Sequence, residues 1–80
     1  MLTAAQIKAA RALVDWNQPQ LAEASGLSMP TIRRMEGPLG PGRSTAANVE
    51  AVQRALEAAG VVFLDAGEAK MGGPGVRLKS

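Results

Sequence analysis

A glycine turn between two short amphipathic segments limits what this chain can fold into more than any other feature. The segments lie in residues 18–36, with the sequence QPQLAEASGLSMPTIRRME. Gly26 can adopt a positive φ at little steric cost, as the C-terminal turn of a helix requires. Ser28 is a favourable N-cap for a second helix. The pattern predicts two helices, at about residues 18–24 and 29–36, joined by a tight turn.

The residue types along this stretch are those that such a helix pair needs. There is a small residue where the helices approach, a turn glycine, a buried β-branched residue and an acid at the end of the second helix. The matching positions are Gln18, Leu21, Ala22, Gly26, Leu27, Thr31, Ile32 and Glu36. They resemble the helix-turn-helix of the phage-repressor and Cro superfamily, the xenobiotic-response-element family, over about residues 3–60. The resemblance implies a four-helix lambda-repressor-like domain that binds specific double-stranded DNA sequences, usually as a dimer.

Length and composition set the outer bounds. Eighty residues allow one small core, and 46% of them are hydrophobic, but Trp16 and Phe63 are the only aromatic residues. Small aliphatic side chains must therefore fill the core, and a chain this short is often stabilised by dimerisation. The sequence has no cysteine, no signal-peptide pattern and no long apolar run. We therefore expect a cytoplasmic protein without disulfides and not in a membrane. An alanine- and glycine-rich helix-turn-helix chain of this kind is expected to be bacterial or phage-encoded.

The positive charge is concentrated in one half of the chain. The net charge is +2; residues 1–44 carry five basic and three acidic side chains, whereas residues 45–80 carry four of each. A local excess of this kind can attract phosphate groups, although an ordinary solvated surface is an equal alternative on charge alone.

The start of the chain carries the signals of a first helix. Thr3 and Gln6 have the spacing of a capping box, and the helix should run to about Val14. Lys8 and Arg11 should point to solvent, with a phosphate contact by Arg11 as the alternative. Apolar residues that should face inward recur at helical spacing, at Ile7, Ala10, Leu13 and Val14.

The corner before the second helix contains Trp16, which should fill the space between helices, although an exposed ring for base stacking is an alternative. Asn17 and Gln20 have capping-box spacing. Pro19 falls in the first turn, where its missing N–H costs little.

The outward face of the 29–36 helix is the expected base-reading surface. Helical spacing that buries Ile32 and Met35 turns Arg33 and Arg34 outward. Arg34 is the best candidate for a bidentate contact to guanine, and Arg33 is a candidate for the same contact or for a phosphate. The resemblance places the first residues of this helix at the base edges. Here these are Met29, Pro30 and Thr31, of which the first two can only make apolar contacts with a thymine methyl group.

The DNA backbone should be positioned by polar groups around this helix, namely Gln18, Ser28, Arg43 and Ser44. Residues 37–42 are rich in glycine and proline and are expected to form a loop without helix or strand. Residues 37–44 nearly match a nucleotide-binding phosphate loop, but an arginine replaces the lysine and a helix precedes the motif, so this interpretation is rejected.

A fourth helix is expected at about residues 45–59. Ser44 or Thr45 should cap it, and Gly60 should end it. Its buried stripe should contain Val49, Val52 and Leu56, and Glu50 and Arg54 should pair on its surface.

The last twenty residues change character. Residues 61–64 and 76–79 favour two β-strands, with a mobile connection over residues 65–75. We expect residues 1–60 to form the helix-turn-helix domain and residues 61–80 a hairpin that makes a symmetric homodimer; a hairpin folded back on its own monomer is the alternative. The expected dimerisation residues are Val61, Val62, Phe63, Leu64, Val76 and Leu78.

Catalysis is not expected, because the sequence has no histidine, cysteine or tyrosine, and no cofactor or metal is expected. The leading hypothesis is a DNA-binding transcriptional regulator, most simply a repressor that binds a pseudo-palindromic operator. Two alternatives remain open: an antitoxin that binds a toxin and represses its own genes, and a helix-turn-helix module that binds another protein.

Overall fold

A side-chain N-cap starts each α-helix of the computed structural model, which describes residues 2–65 and 73–79. In this part of the chain, four α-helices and a short 3-10 helix precede a two-stranded antiparallel hairpin. The predicted layout, mainly helical with a C-terminal hairpin, is confirmed. The elements are α1 (Ala4–Leu13), α2 (Gln18–Ser25), α3 (Met29–Met35), the 3-10 helix (Gly40–Arg43), α4 (Ala46–Ala58), β1 (Val61–Leu64) and β2 (Gly75–Leu78).

The helix ends follow the predicted local signals to within about a residue. Two caps are complete capping boxes, and the side chains of the four N-cap residues each accept a main-chain N–H: Thr3, Asn17, Ser28 and Thr45. Gly26 ends α2 with φ of 74°, and Gly60 follows α4 with φ of 107°, as the left-handed stops require. Asp15 adopts φ of 58° after α1, in a region that aspartate tolerates better than most residues do.

One apolar core joins the helices to the hairpin. Its buried members are Leu2, Ile7, Ala10, Leu21, Ala22, Ile32, Met35, Val52, Leu56 and Val61. The prediction that Leu13 faces inward is wrong, since Leu13 is 39% exposed. The buried stripe of α1 follows Ile7, Ala10 and Val14, and Leu13 lies about 100° to one side of Val14 on the helix.

The segment between α3 and α4 is more regular than its composition indicates. The prediction of a loop without helix is wrong for residues 40–43, which form the 3-10 helix. Pro41 lies in its first turn with φ preset for a helix, and the Pro41 carbonyl accepts the Ser44 N–H at 2.9 Å. Pro41 is also buried, and the 3-10 helix packs against α3.

The hairpin pairs within one chain. Val61 lies opposite Leu78 and Leu64 opposite Gly75, so β2 lies one residue earlier than the predicted 76–79. The hairpin packs against α1 and α4, as expected for an element that is marginal alone. Most of the connection that was predicted to be mobile, residues 66–72, lies outside the described residues.

Across residues 2–65 and 73–79, no helix has the length and apolar character needed to cross a membrane.

Candidate nucleic-acid interface

Helix α3 has one buried side and one charged side. Ile32 and Met35 are buried against the core, whereas Arg33 and Arg34 are exposed. Within the part of the chain that the structure describes, neither guanidinium forms an ion pair or a side-chain hydrogen bond. The predicted orientation of both arginines is confirmed, and both groups are free to bind an acceptor from outside.

The first turn of α3 presents little polar surface. Met29 is partly buried and packs against the core, while Pro30 is exposed. The Thr31 and Ser28 hydroxyl oxygens are 2.8 Å apart, and Ser28 Oγ also accepts the Thr31 N–H at 3.3 Å. These two hydroxyl groups therefore partly satisfy each other, and the arginines are the strongest donors on this face.

The residue that follows α3 is a buried carboxylate. Glu36 is 6% exposed and accepts from Arg11 Nε at 2.6 Å, Arg11 Nη2 at 2.7 Å and Gln18 Nε2 at 3.1 Å. Arg11 Nη1 donates to the Trp16 carbonyl at 3.0 Å. The prediction that Arg11 points to solvent is wrong, because the bidentate pair with Glu36 draws it inward.

This network joins the end of α1, the start of α2 and the end of α3. The hydrogen bonds to Glu36 raise the pKa of Arg11 above its ordinary value, although burial works in the opposite direction. A buried pair of this kind is stable only when the remaining donors and acceptors are also satisfied, and Gln18 and Trp16 serve that purpose here. Glu36 pairs with Arg11 and not with the arginines of α3. Arg33 and Arg34 therefore have no ion-pair partner among the described residues.

The four residues expected at the DNA backbone lie in different environments. Ser28 is exposed, and Gln18 is partly buried with its amide held by Glu36. The Ser44 hydroxyl oxygen is buried and has no hydrogen-bond partner among the described residues, so the expected contact of this side chain with a phosphate does not fit the structure. The side chain of Arg43 lies outside the described part of the molecule.

The residues expected at a dimer interface already contribute to the monomer. Val61 is buried, and Phe63 and Val76 pack against the core. Val62 and Leu64 are partly buried, and Leu78 is 41% exposed. The monomer therefore already covers part of the surface of Val62 and Leu64.

No family model matches the sequence, and comparisons with curated proteins and with solved structures found no match. Membership of the phage-repressor superfamily therefore stays a prediction from the residues of the helix-turn-helix.

Proposed function

We propose that this chain is a sequence-specific DNA-binding transcriptional regulator, a repressor that acts in the cytoplasm as a homodimer on a pseudo-palindromic operator. The observation that carries the proposal is the pair of exposed guanidinium groups of Arg33 and Arg34 on α3, neither of which pairs with a described residue. Helix α3 is the second helix of a helix-turn-helix, the element that enters the major groove in DNA-binding proteins of this architecture.

Base recognition is assigned to the outer face of α3. A guanidinium matches the O6 and N7 acceptors of guanine in bidentate geometry, and Arg34 is given this role. Arg33 contacts a second base or a phosphate. Pro30, with Met29 beneath it, supplies apolar contact to a thymine methyl group, and Thr31 contributes its hydroxyl to the local backbone or to a phosphate.

The buried network of Arg11, Glu36 and Gln18 positions this face. It fixes the end of α3 relative to the start of α2, so the two arginines and the α2 N-terminus approach DNA as one rigid surface. Among the described residues, the Gln18 N–H is the main-chain donor left open at the start of α2, because Pro19 has no N–H and the Asn17 and Gln20 N–H groups donate within the capping box. It lies at the positive end of the helix and suits a phosphate. Gln18 then orients α2 through its side chain and meets the phosphate through its main chain, and Arg43 is assigned to a phosphate as well.

A two-fold symmetric dimer would read two half-sites about 34–36 Å apart, one helical turn of DNA. The operator should therefore be pseudo-palindromic with half-site centres separated by about ten base pairs.

The test is selection from a pool of random DNA duplexes followed by fluorescence-anisotropy titration over a series of salt concentrations. We expect a palindromic sequence to be enriched, with affinity that falls steeply as salt rises. Arg34→Ala should weaken binding to the selected site by about 1–3 kcal/mol and relax the preference at one base position. Arg54→Ala is the matched control, because it removes an exposed arginine from α4.

An Arg34→Ala protein with unchanged affinity and base preference would contradict the assignment to Arg34. Weak binding without sequence preference would contradict the proposal as a whole and favour a module that binds another protein.

A further inference from the structure

The middle of the exposed side of α3 is apolar, and a cation lies directly beside it. Pro30 lies about 140–160° around the helix from the buried Ile32 and Met35. Arg34 follows Pro30 by one turn and lies about 40° from it around the helix axis. Both side chains are exposed, so they form neighbouring parts of one outward surface.

The spacing of these two residues suits adjacent base pairs of DNA. Residues at positions i and i+4 of a helix have Cβ atoms about 5–6 Å apart, and a helical side chain leans toward the start of its helix. The long side chain of Arg34 therefore reaches over the turn that contains Pro30. Successive base pairs are about 3.4 Å apart along the duplex. With the Arg34 guanidinium on a guanine, the Pro30 ring lies over the neighbouring base pair.

The groups around Pro30 favour an apolar contact with that neighbouring base pair. Proline has no N–H, and its ring presents only carbon and hydrogen. Met29 is partly buried and packs against the core. The hydroxyl oxygens of Ser28 and Thr31 are 2.8 Å apart and share a hydrogen bond. Pro30 is therefore suited to detect an apolar group on a base edge rather than a donor or an acceptor.

The apolar group that the major groove offers is the C5 methyl group of a pyrimidine. Thymine carries this methyl group, cytosine lacks it, and 5-methylcytosine carries it at the same ring position. We propose that Pro30 and Arg34 together recognise a C5-methylated pyrimidine in the base pair next to a guanine, so that methylation of a cytosine there strengthens operator binding. The inference rests on the proposed function and adds to it a dependence on DNA methylation.

The experiment starts from the duplex that the selection yields. The guanine that Arg34 contacts is the position at which Arg34→Ala loses its base preference. In each adjacent base pair, two comparisons change the methyl group alone: thymine against uracil, both opposite adenine, and 5-methylcytosine against cytosine, both opposite guanine. On one side of the guanine, we expect the methylated duplex of each comparison to bind about four-fold more tightly in fluorescence anisotropy, as burial of one methyl group predicts.

A substitution at Pro30 tests whether this residue detects the methyl group. Pro30→Ser should reduce the ratio of affinities to less than about two-fold, because the ring contact is lost and the new hydroxyl group prefers water. The matched control is Pro19→Ser, which replaces the proline in the first turn of α2 and should keep the full ratio. Each ratio compares two duplexes with the same protein preparation, so a loss of folded protein does not change it.

The outcomes separate this inference from the proposed function. Equal affinities within both comparisons, on both sides of the guanine, would overturn the inference and leave a sequence-specific DNA-binding protein in place. A methyl preference that persists in Pro30→Ser would also overturn it, because another residue would then detect the methyl group. If Arg34→Ala keeps its preference for guanine, the joint role of Pro30 and Arg34 is wrong. If the selection enriches no sequence, the proposed function and the inference both fail.

Discussion

The helix-turn-helix (α2 and α3) and the hairpin (β1 and β2) are each held by one buried polar side chain, and the two side chains differ in charge. Glu36 is 6% exposed and binds Arg11 and Gln18, which fixes α3 relative to α1 and α2. Gln6 is 4% exposed; its Nε2 donates to the Leu64 and Gly75 carbonyls at 3.1 and 3.0 Å, and its Oε1 accepts the Thr3 N–H at 2.8 Å.

The difference in charge determines how much stability is lost when the partner of Glu36 or the side chain of Gln6 is removed. The carbonyls that Gln6 binds belong to a pair that is hydrogen-bonded across the hairpin in the observed register, so they keep partners if Gln6 is lost. Glu36 is a charge in a region of low dielectric, and loss of Arg11 would leave it buried without a counter-charge. The helix-turn-helix should therefore be sensitive to a single substitution, and the hairpin should detach with a smaller loss of stability in the helices.

Removal of the buried guanidinium should have the largest effect. Arg11→Met should lower the free energy of unfolding by about 3–5 kcal/mol, because Glu36 would stay buried and unpaired. Urea denaturation followed by circular dichroism measures this. The matched control is Arg54→Met, which breaks a pair whose side chains are 76% and 58% exposed and should change stability by no more than about 1 kcal/mol.

The double variant Arg11→Met/Glu36→Met separates the charge from the packing. It removes both charges, so it should be more stable than Arg11→Met alone. Equal instability of the single and double variants in the same urea titration would show that the buried charge is not the source of the loss.

The uncharged side chain of Gln6 should contribute less to stability than the pair of Arg11 and Glu36, and its loss should act mainly on the hairpin. Gln6→Met should cost about 1–3 kcal/mol, since it removes three hydrogen bonds but leaves no buried charge. Amide hydrogen exchange should accelerate more at Val62 and Arg77 in the hairpin than at Leu56 in α4. Gln53→Met is the control, because the Gln53 amide donates to Glu57 on the exposed side of α4. Uniform acceleration in all three residues would contradict a local role for Gln6.

The smallest effect is expected at Ser44, whose buried hydroxyl has no hydrogen-bond partner among the described residues. Here the substitution should raise the free energy of unfolding rather than lower it. Ser44→Ala removes the buried hydroxyl group without a hydrogen bond, so stability should rise by about 1 kcal/mol. Thermal unfolding measures this change, and affinity for a selected operator should be unchanged. A loss of stability would indicate that the hydroxyl has a partner in solution, such as a bound water.

Features encoded by neighbouring residues were predictable from the sequence. Helix boundaries follow from caps such as Thr3 and Asn17, and the outward direction of Arg33 and Arg34 follows from the helical period. The pair of Arg11 and Glu36 joins residues 25 positions apart, and no local pattern encodes that distance. Its only signal was an acid directly after the buried Met35. The burial of the Ser44 hydroxyl likewise depends on how the 3-10 helix packs, which the glycines and prolines of residues 37–42 do not reveal.

Gln6 also has a consequence for the order of folding. Its hydrogen bonds to the hairpin join residues 58 and 69 positions apart in a chain of 80, so they close almost the longest loop that this chain can make. Such a loop has a high entropic cost until the helices between its ends have condensed. Hairpin docking should therefore follow the folding rate-limiting step, and Gln6→Met should accelerate unfolding while the folding rate stays nearly unchanged. The last element to dock would be the first to leave.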